Sequence, residues 1–290
     1  MKAASLRPSA IILGLAMLCV VSTGCPDDST TEPLSPTADA PDPPRTPAER
    51  VRRRTQDRFG KADLLMPGNL TPGEATSDLA PIILVRDRAR GTFGVVSAHA
   101  SGDLVVPGPL TVYWERSRVV IDGHSHDQIA YYWWFRAEGA DAFAVQGVRM
   151  TLRENGLACV WEVLRDSSNL RVVYVAESVE AAARKKHGGP LPGRRFSIER
   201  KRDATPDIVV ARVLPDGPMP MGPWIYVLAG ADDVSTVLCR CSPSQTKGPL
   251  ERTDYVLRPF DPQGRQRSPF VADDPASDPH TRLDTWLRWP

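Results

Sequence analysis

The chain has 290 residues, and its 36 lysines and arginines against 35 aspartates and glutamates leave a formal net charge of +1. So even a balance argues against wholesale coating of nucleic acid, which draws on a strong basic excess. The 28 prolines and five cysteines are placed unevenly, and their positions divide the sequence.

Lys2 and Arg7 open the chain, an apolar run follows from Ala10 to Val21, and the small residues Ser22, Thr23 and Gly24 precede Cys25. A charged start, a short apolar stretch and small residues before a cut make an export signal. Two other readings are an uncleaved anchor and a plain secretory cut. The apolar run of about a dozen residues is short of the ~17–25 that a spanning helix needs, and no A-x-A triplet precedes Pro26. Residues 1–25 resemble the lipobox-type signal of bacterial lipoproteins, with Ser22 where a large aliphatic residue is usual and Val21 one step earlier. The resemblance implies that residues 1–24 are removed and that the Cys25 thiol takes a diacylglyceryl group of palmitate-type chains. The new amino terminus is then a second acylation point. Each buried CH₂ adds ~0.8 kcal/mol, so two or three chains hold a protein durably on a bilayer. Pro26 follows the cysteine in place of the aspartate that retains such proteins at the inner membrane. The resemblance therefore implies an exported protein anchored at the outer membrane or cell surface.

Residues 25–47 are the lipid-bearing cysteine and a stretch with seven prolines and almost no large apolar side chain. Such a segment cannot bury enough surface to offset its ordering entropy, so it reads as a disordered tether, reaching up to ~70 Å at ~3.1 Å per residue. Residues 48–81 read as a short basic helix (AERVRRRTQDRFG) and a Pro/Gly-punctuated linker. Residues 82–259 carry short β-branched and aromatic runs between turn signals, the mark of strands. Residues 260–290 return to Pro, Asp, Ser and Arg and read as a loose tail, with Leu283, Trp286, Leu287 and Trp289 able to dock.

Within the central segment, Asp122-Gly123 is a two-residue hairpin signal. It pairs Ile121 with His124, Val119 with His126 and Ser117 with Gln128, and sets Arg118 opposite Asp127. A second turn at Asn155-Gly156 pairs Leu152 with Cys159, Met150 with Trp161 and Val148 with Val163, and places Cys159 in a core. A strand LRVVYVA leads into the helix SVEAAARKKHG, with Ser178 as N-cap and Gly188 as stop. Further strands are expected at 196–200, 207–213, 224–229 and 235–241. The fold class expected is α+β, or else mostly β: mainly antiparallel β-hairpins with one or two helices, a single domain on a disordered tether.

Three groups of residues carry candidate chemistry. His124-Ser125-His126 puts two imidazoles on one strand face, and the run Val120–His126 resembles the strand-end HxH of amidohydrolases and of polymerase-and-histidinol-phosphatase hydrolases. Those families need several more downstream ligands, whereas only His187 and His280 follow here. Cys239-Arg240-Cys241 supplies soft ligands suited to zinc or Cu(I), and Met219 and Met221 lie twenty residues earlier. On an extended strand these two sulfurs sit too far apart for an easy mutual bridge, so a bridge from Cys159 to one of them competes with metal binding. Arg184, Lys185, Lys186, Arg194, Arg195, Arg200, Lys201 and Arg202, interrupted by Glu199, make a basic cluster suited to anionic lipid or envelope polymer. Residues 187–195 and 215–224 are Gly/Pro-rich loops of the kind that form binding edges. No catalytic residue is assigned. The reading is a lipid-anchored envelope protein, a binding or structural module without a cofactor. Its partners are the membrane and an envelope protein or anionic polymer, and not nucleic acid. The alternative is an exported zinc or copper protein, or a metal-dependent hydrolase, using His124, His126, Cys239 and Cys241.

Overall fold

The computed structural model describes residues 46–56, 62–86, 92–97, 104–136, 141–200, 208–228, 233–241, 250–260 and 283–290. The leader, Cys25 and most of the tether lie outside them.

Among the described residues the architecture is mostly β, one 13-stranded, near-closed, barrel-like sheet, which the α+β expectation fits only in part. In chain order the strands are β1 (Ala62–Pro67), β2 (Ile82–Arg86), β3 (Thr92–Ser97), β4 (Leu104–Pro107), β5 (Thr111–Ile121), β6 (His124–Arg136) and β7 (Ala144–Leu152). They continue with β8 (Ala158–Val163), β9 (Arg171–Ala176), β10 (Ile208–Leu214), β11 (Trp224–Val227), β12 (Val234–Leu238) and β13 (Leu250–Pro259). The spatial order is β10-β9-β8-β7-β6-β5-β13-β1-β2-β11-β12, with β3 beside β6 and β4 beside β3. Hairpins account for the middle of this order. The pairs β1–β2 and β11–β12 are antiparallel too, but the expected pattern is broken where β13 runs parallel to both β1 and β5, β2 to β11, and β9 to β10. Within the stretch read from sequence as helix and linker, β1 sits in the sheet between β13 and β2.

The hairpin at Asp122-Gly123 forms with the expected register, including Ser117 opposite Gln128 and Arg118 opposite Asp127. Asp122 and Gly123 both take positive φ, 49° and 81°, which matches the twist of the flanking strands. The second hairpin differs at its tip. The Arg153 and Gly156 amides donate to Leu157 and Arg153 carbonyls, so the loop holds three residues with Gly156 left-handed. Leu152 therefore opposes Ala158 and not Cys159. A bulge then restores Thr151 to Val160 and Met150 to Trp161, and Cys159 is the extra, fully buried residue.

β6 is buried on both faces because its alternate residues serve two cores. Ile129, Tyr131, Trp133 and Phe135 join the main core. Tyr132 and Trp134 pack on the other face with Tyr113 and Phe260, rings 5.3–6.4 Å apart.

Helix α1 (Pro47–Arg54) starts at a capping box between Thr46 and Glu49 and buries Ala48 and Val51. It spans the seam between the two end strands of the sheet. Arg52 donates to the Val210 carbonyl of β10 (3.4 Å), and Ser235 of β12 donates to the Arg54 carbonyl (3.0 Å). Arg54 also bridges Asp166 to Asp233, the latter at 3.2 Å. Unpaired strand edges are thereby covered.

Helix α2 (Ala75–Asp78) and the residues after it plug one end of the barrel. Tyr131, Tyr255 and Arg240 hold this plug by donating to the carbonyls of Thr76, Pro81 and Ala80. Burial pushes both phenols upward in pKa and pushes the Arg240 guanidinium down. Gly222 lies against the Leu79 and Ala80 carbonyls, where an added Cβ would come within 2.4 Å and 2.2 Å.

Helix α3 (Glu177–His187) ends at Gly188 as expected, but its N-cap is Ala176. Ser178 is instead inside the first turn, where its amide and hydroxyl donate to Asp216. That carboxylate supplies the negative charge a helix start favours. Residues 196–200, expected as a strand, form a turn held by two buried carboxylates. Glu180 accepts the amides of Ser197 and Ile198 (2.8 and 3.1 Å). Glu199 accepts those of Arg195, Phe196 and Val210 (2.8, 2.9 and 3.2 Å), with Arg52 at 2.8 Å. Around it dock residues 283–290, including α4 (Leu283–Trp286), with Leu283 and Leu287 fully buried and Arg171 under the Trp286 ring. Among the described residues no helix is long and apolar enough to cross a membrane.

Candidate ligand site at the barrel mouth

The end of the barrel away from the α2 plug holds a cavity of about 120 Å³. Its wall is built from strands remote in sequence. Asp63 on β1, Val85 on β2 and Val227 on β11 stand in register across three adjacent strands. Leu65 and Thr253 pair across β1 and β13. Trp133 and Phe135 of β6 face them, although four strands separate β6 from β11 in the sheet. Curvature of the sheet brings the two walls together. Phe93 closes the side, its ring edge-on to Phe135 at 6.0 Å. The lining is thus apolar, with one carboxylate (Asp63) and one hydroxyl (Thr253). An apolar cavity near 150 Å³ takes up benzene, so this one is sized for a single ring or the end of an acyl chain. Barrel mouths with apolar walls and a few polar groups are common small-molecule sites.

A second, more polar cleft of about 330 Å³ lies between the β5–β6 hairpin and α2. Its side chains mostly pair with one another: Arg118 with Asp127 at 3.0 Å, Ser117 with Gln128 at 3.3 Å, and Gln128 with Thr151 at 2.9 Å. We therefore place the candidate site at the mouth.

The residues singled out from sequence lie elsewhere. His124 is exposed beside the hairpin turn. His126 bonds the Leu152 carbonyl through Nδ1 (3.0 Å) and meets the Trp289 ring edge-on, while His187 bonds the Trp289 carbonyl (3.0 Å). Both imidazoles thus seat the C-terminal segment. Cys239 and Cys241 are joined to each other, and Cys159 is free. The expected separation fails because β12 ends at Leu238 and the chain turns, bringing the two Cα atoms to 5.2 Å, inside disulfide range. Met221 and Cys239 both lie beside Gly217. Among the described residues no group of three or more His, Cys, Asp or Glu side chains is placed to hold a metal ion.

Several members of the basic cluster have partners within the chain. Arg194 is buried, donating to the Ile208 carbonyl at 2.9 Å, and Arg200 holds the Leu287 carbonyl at 3.0 Å. Arg184 faces Glu180 (3.8 Å), Lys186 faces Asp122 (3.4 Å), Arg195 lies over Phe196, and Lys185 is exposed. Lys201 and Arg202 lie outside the described residues. Among the described members of this cluster only the Arg194 side chain is buried; Arg184, Lys185, Lys186, Arg195 and Arg200 are exposed.

The mouth cavity went unseen in the sequence. Its one signal is Asp63, a carboxylate in the short run Ala62–Pro67 that otherwise reads as a strand. The chain matches no protein family, no curated protein and no solved structure.

Proposed function

We propose that this protein is an exported, lipid-anchored envelope module that binds a small apolar group in the mouth of its barrel. The anchor rests on the lipobox-like run ending at Cys25, and the outer-membrane or surface address on Pro26 behind it. The observation that carries the binding role is the 120 Å³ cavity between Trp133 and Phe135 on one wall and Leu65, Val85 and Val227 on the other. The Pro-rich residues 26–47 would hold that mouth clear of the bilayer.

Toluene tests the site. A ligand that binds the folded form alone raises stability by RT ln(1 + [L]/Kd). Toluene near saturation in water is expected to raise Tm, and Val227→Trp, which fills the cavity, is expected to abolish that rise. An equal rise in both proteins would place toluene elsewhere and remove the proposal. Mass spectrometry of native material tests the anchor separately: a diacylglyceryl-modified Cys25 at the mature N-terminus supports it, and an unmodified thiol there rejects it.

A further inference from the structure

We propose that Cys239–Cys241 is a redox-active disulfide that exchanges with external thiols at the Cys241 sulfur and releases Cys239 as the leaving thiolate. Three independent features point to this.

The first is what the bridge does not do. It closes a loop with a sequence separation of 2. Disulfides stabilise mainly by restricting the denatured chain, and the effect grows with loop length, so a bridge this local is a poor staple. Cys159, fully buried in the core, stands unbridged on β8. A chain that needed a long-range cross-link had that partner to use.

The second is the asymmetry of access. Cys239 is 5% exposed at the end of β12, whereas Cys241 is exposed in the turn that follows. An incoming thiolate therefore reaches the Cys241 sulfur. Exposed disulfides are the exchangeable ones.

The third is support for the leaving group. The Cys241 amide donates to Cys239 Sγ at 3.2 Å. That hydrogen bond strengthens as negative charge develops on the sulfur, and a better-stabilised leaving thiolate departs faster.

The step balances as follows. A thiolate RS⁻ attacks Cys241 Sγ, an RS–S bond forms, and the Cys239–Cys241 S–S bond breaks. Its electron pair goes to Cys239, which takes a proton from solvent. A second RS⁻ attacks the R sulfur of the mixed disulfide, releasing RSSR and the Cys241 thiolate. Two thiols are oxidised and one disulfide is reduced by two electrons. Small thiols and accessible protein thiols are the substrate class.

Reduced glutathione is the probe. The folded full-length chain is incubated with it, quenched in acid and mapped by peptide mass spectrometry. The expected result is an opened bridge with the glutathione adduct at Cys241 at least about tenfold over Cys239, and Cys159 unmodified. In parallel, the single-serine variants, which keep one free thiol of the pair, are treated with oxidised glutathione, whose S–S bond is exchanged with release of one glutathione thiolate; Cys239→Ser is expected to take the adduct at Cys241 at least about tenfold faster than Cys241→Ser takes it at Cys239. If the bridge stays closed at every glutathione concentration at which the protein remains folded, or the adduct favours Cys239, the proposal is overturned. The wild-type map decides the matter even where a serine variant does not fold.

Discussion

Replacing Glu199 with alanine tests how the C-terminal half of the fold is held. Its carboxylate is fully buried and accepts three backbone amides and the Arg52 guanidinium, with Arg194 at 4.0 Å. Removal strands two guanidinium groups that are 16% and 4% exposed. Breaking a buried pair by deleting one partner costs about 3–5 kcal/mol, because the remaining charge is left uncompensated. In a unit spanning Arg45–Pro290, each kcal/mol corresponds to roughly 2–4 °C, so a fall in Tm of about 6–20 °C is expected. The assay is urea denaturation with parallel calorimetry at pH 7. The internal control is Arg118→Ala, whose ion pair with Asp127 is 76% and 66% exposed and is worth about 0–1 kcal/mol. Glu199→Gln, which keeps shape but loses charge, should fall between the two and serves if the alanine variant does not fold. A loss below about 1 kcal/mol for Glu199→Ala, or one no larger than that of Arg118→Ala, would refute the reasoning.

Alkali should unfold the protein early. Burial raises the Cys159 thiol from 9.0 to about 11 and the Tyr174 phenol from 10.0 to about 12, and also raises Tyr113, Tyr131 and Tyr255. Groups raised in the folded state contribute stability that is complete below their ordinary pKa and lost as pH climbs through the folded value. Tm should hold below about pH 9 and then decline; a Tm that stays level as pH climbs to about 11 contradicts this. Arg240→Ala removes the donor to the Ala80 carbonyl and should cost about 1.5–3 kcal/mol, with faster amide exchange over residues 76–82. Unchanged exchange there would show that the two tyrosines hold the plug without it.

What the sequence disclosed was local. The β5–β6 register follows from a turn dipeptide and period-2 alternation, both contained within a few residues, and the core position of Cys159 needs nothing further away. The β7–β8 tip was misjudged by one residue because Asn155-Gly156 suits a three-residue loop as well as a two-residue one. Long-range order was hidden. β1 pairs with β13 although Ala62 and its partner Leu250 lie far apart in the chain, and no local pattern specifies a parallel neighbour at that distance. Arg52 and Arg194 look like solvent charges in sequence, and what holds them against the fold is Glu199 together with backbone carbonyls of β10. The mouth cavity is the extreme case, since its walls come from β1, β2, β3, β6, β11 and β13.

Diffraction from a crystal pressurised with xenon tests the mouth site most directly, because xenon enters dry apolar cavities without needing a hydrogen bond. A xenon atom lodged between Trp133 and Leu65, and absent in Val227→Trp, is the result this account predicts. An empty mouth in a crystal that takes up xenon elsewhere would contradict it.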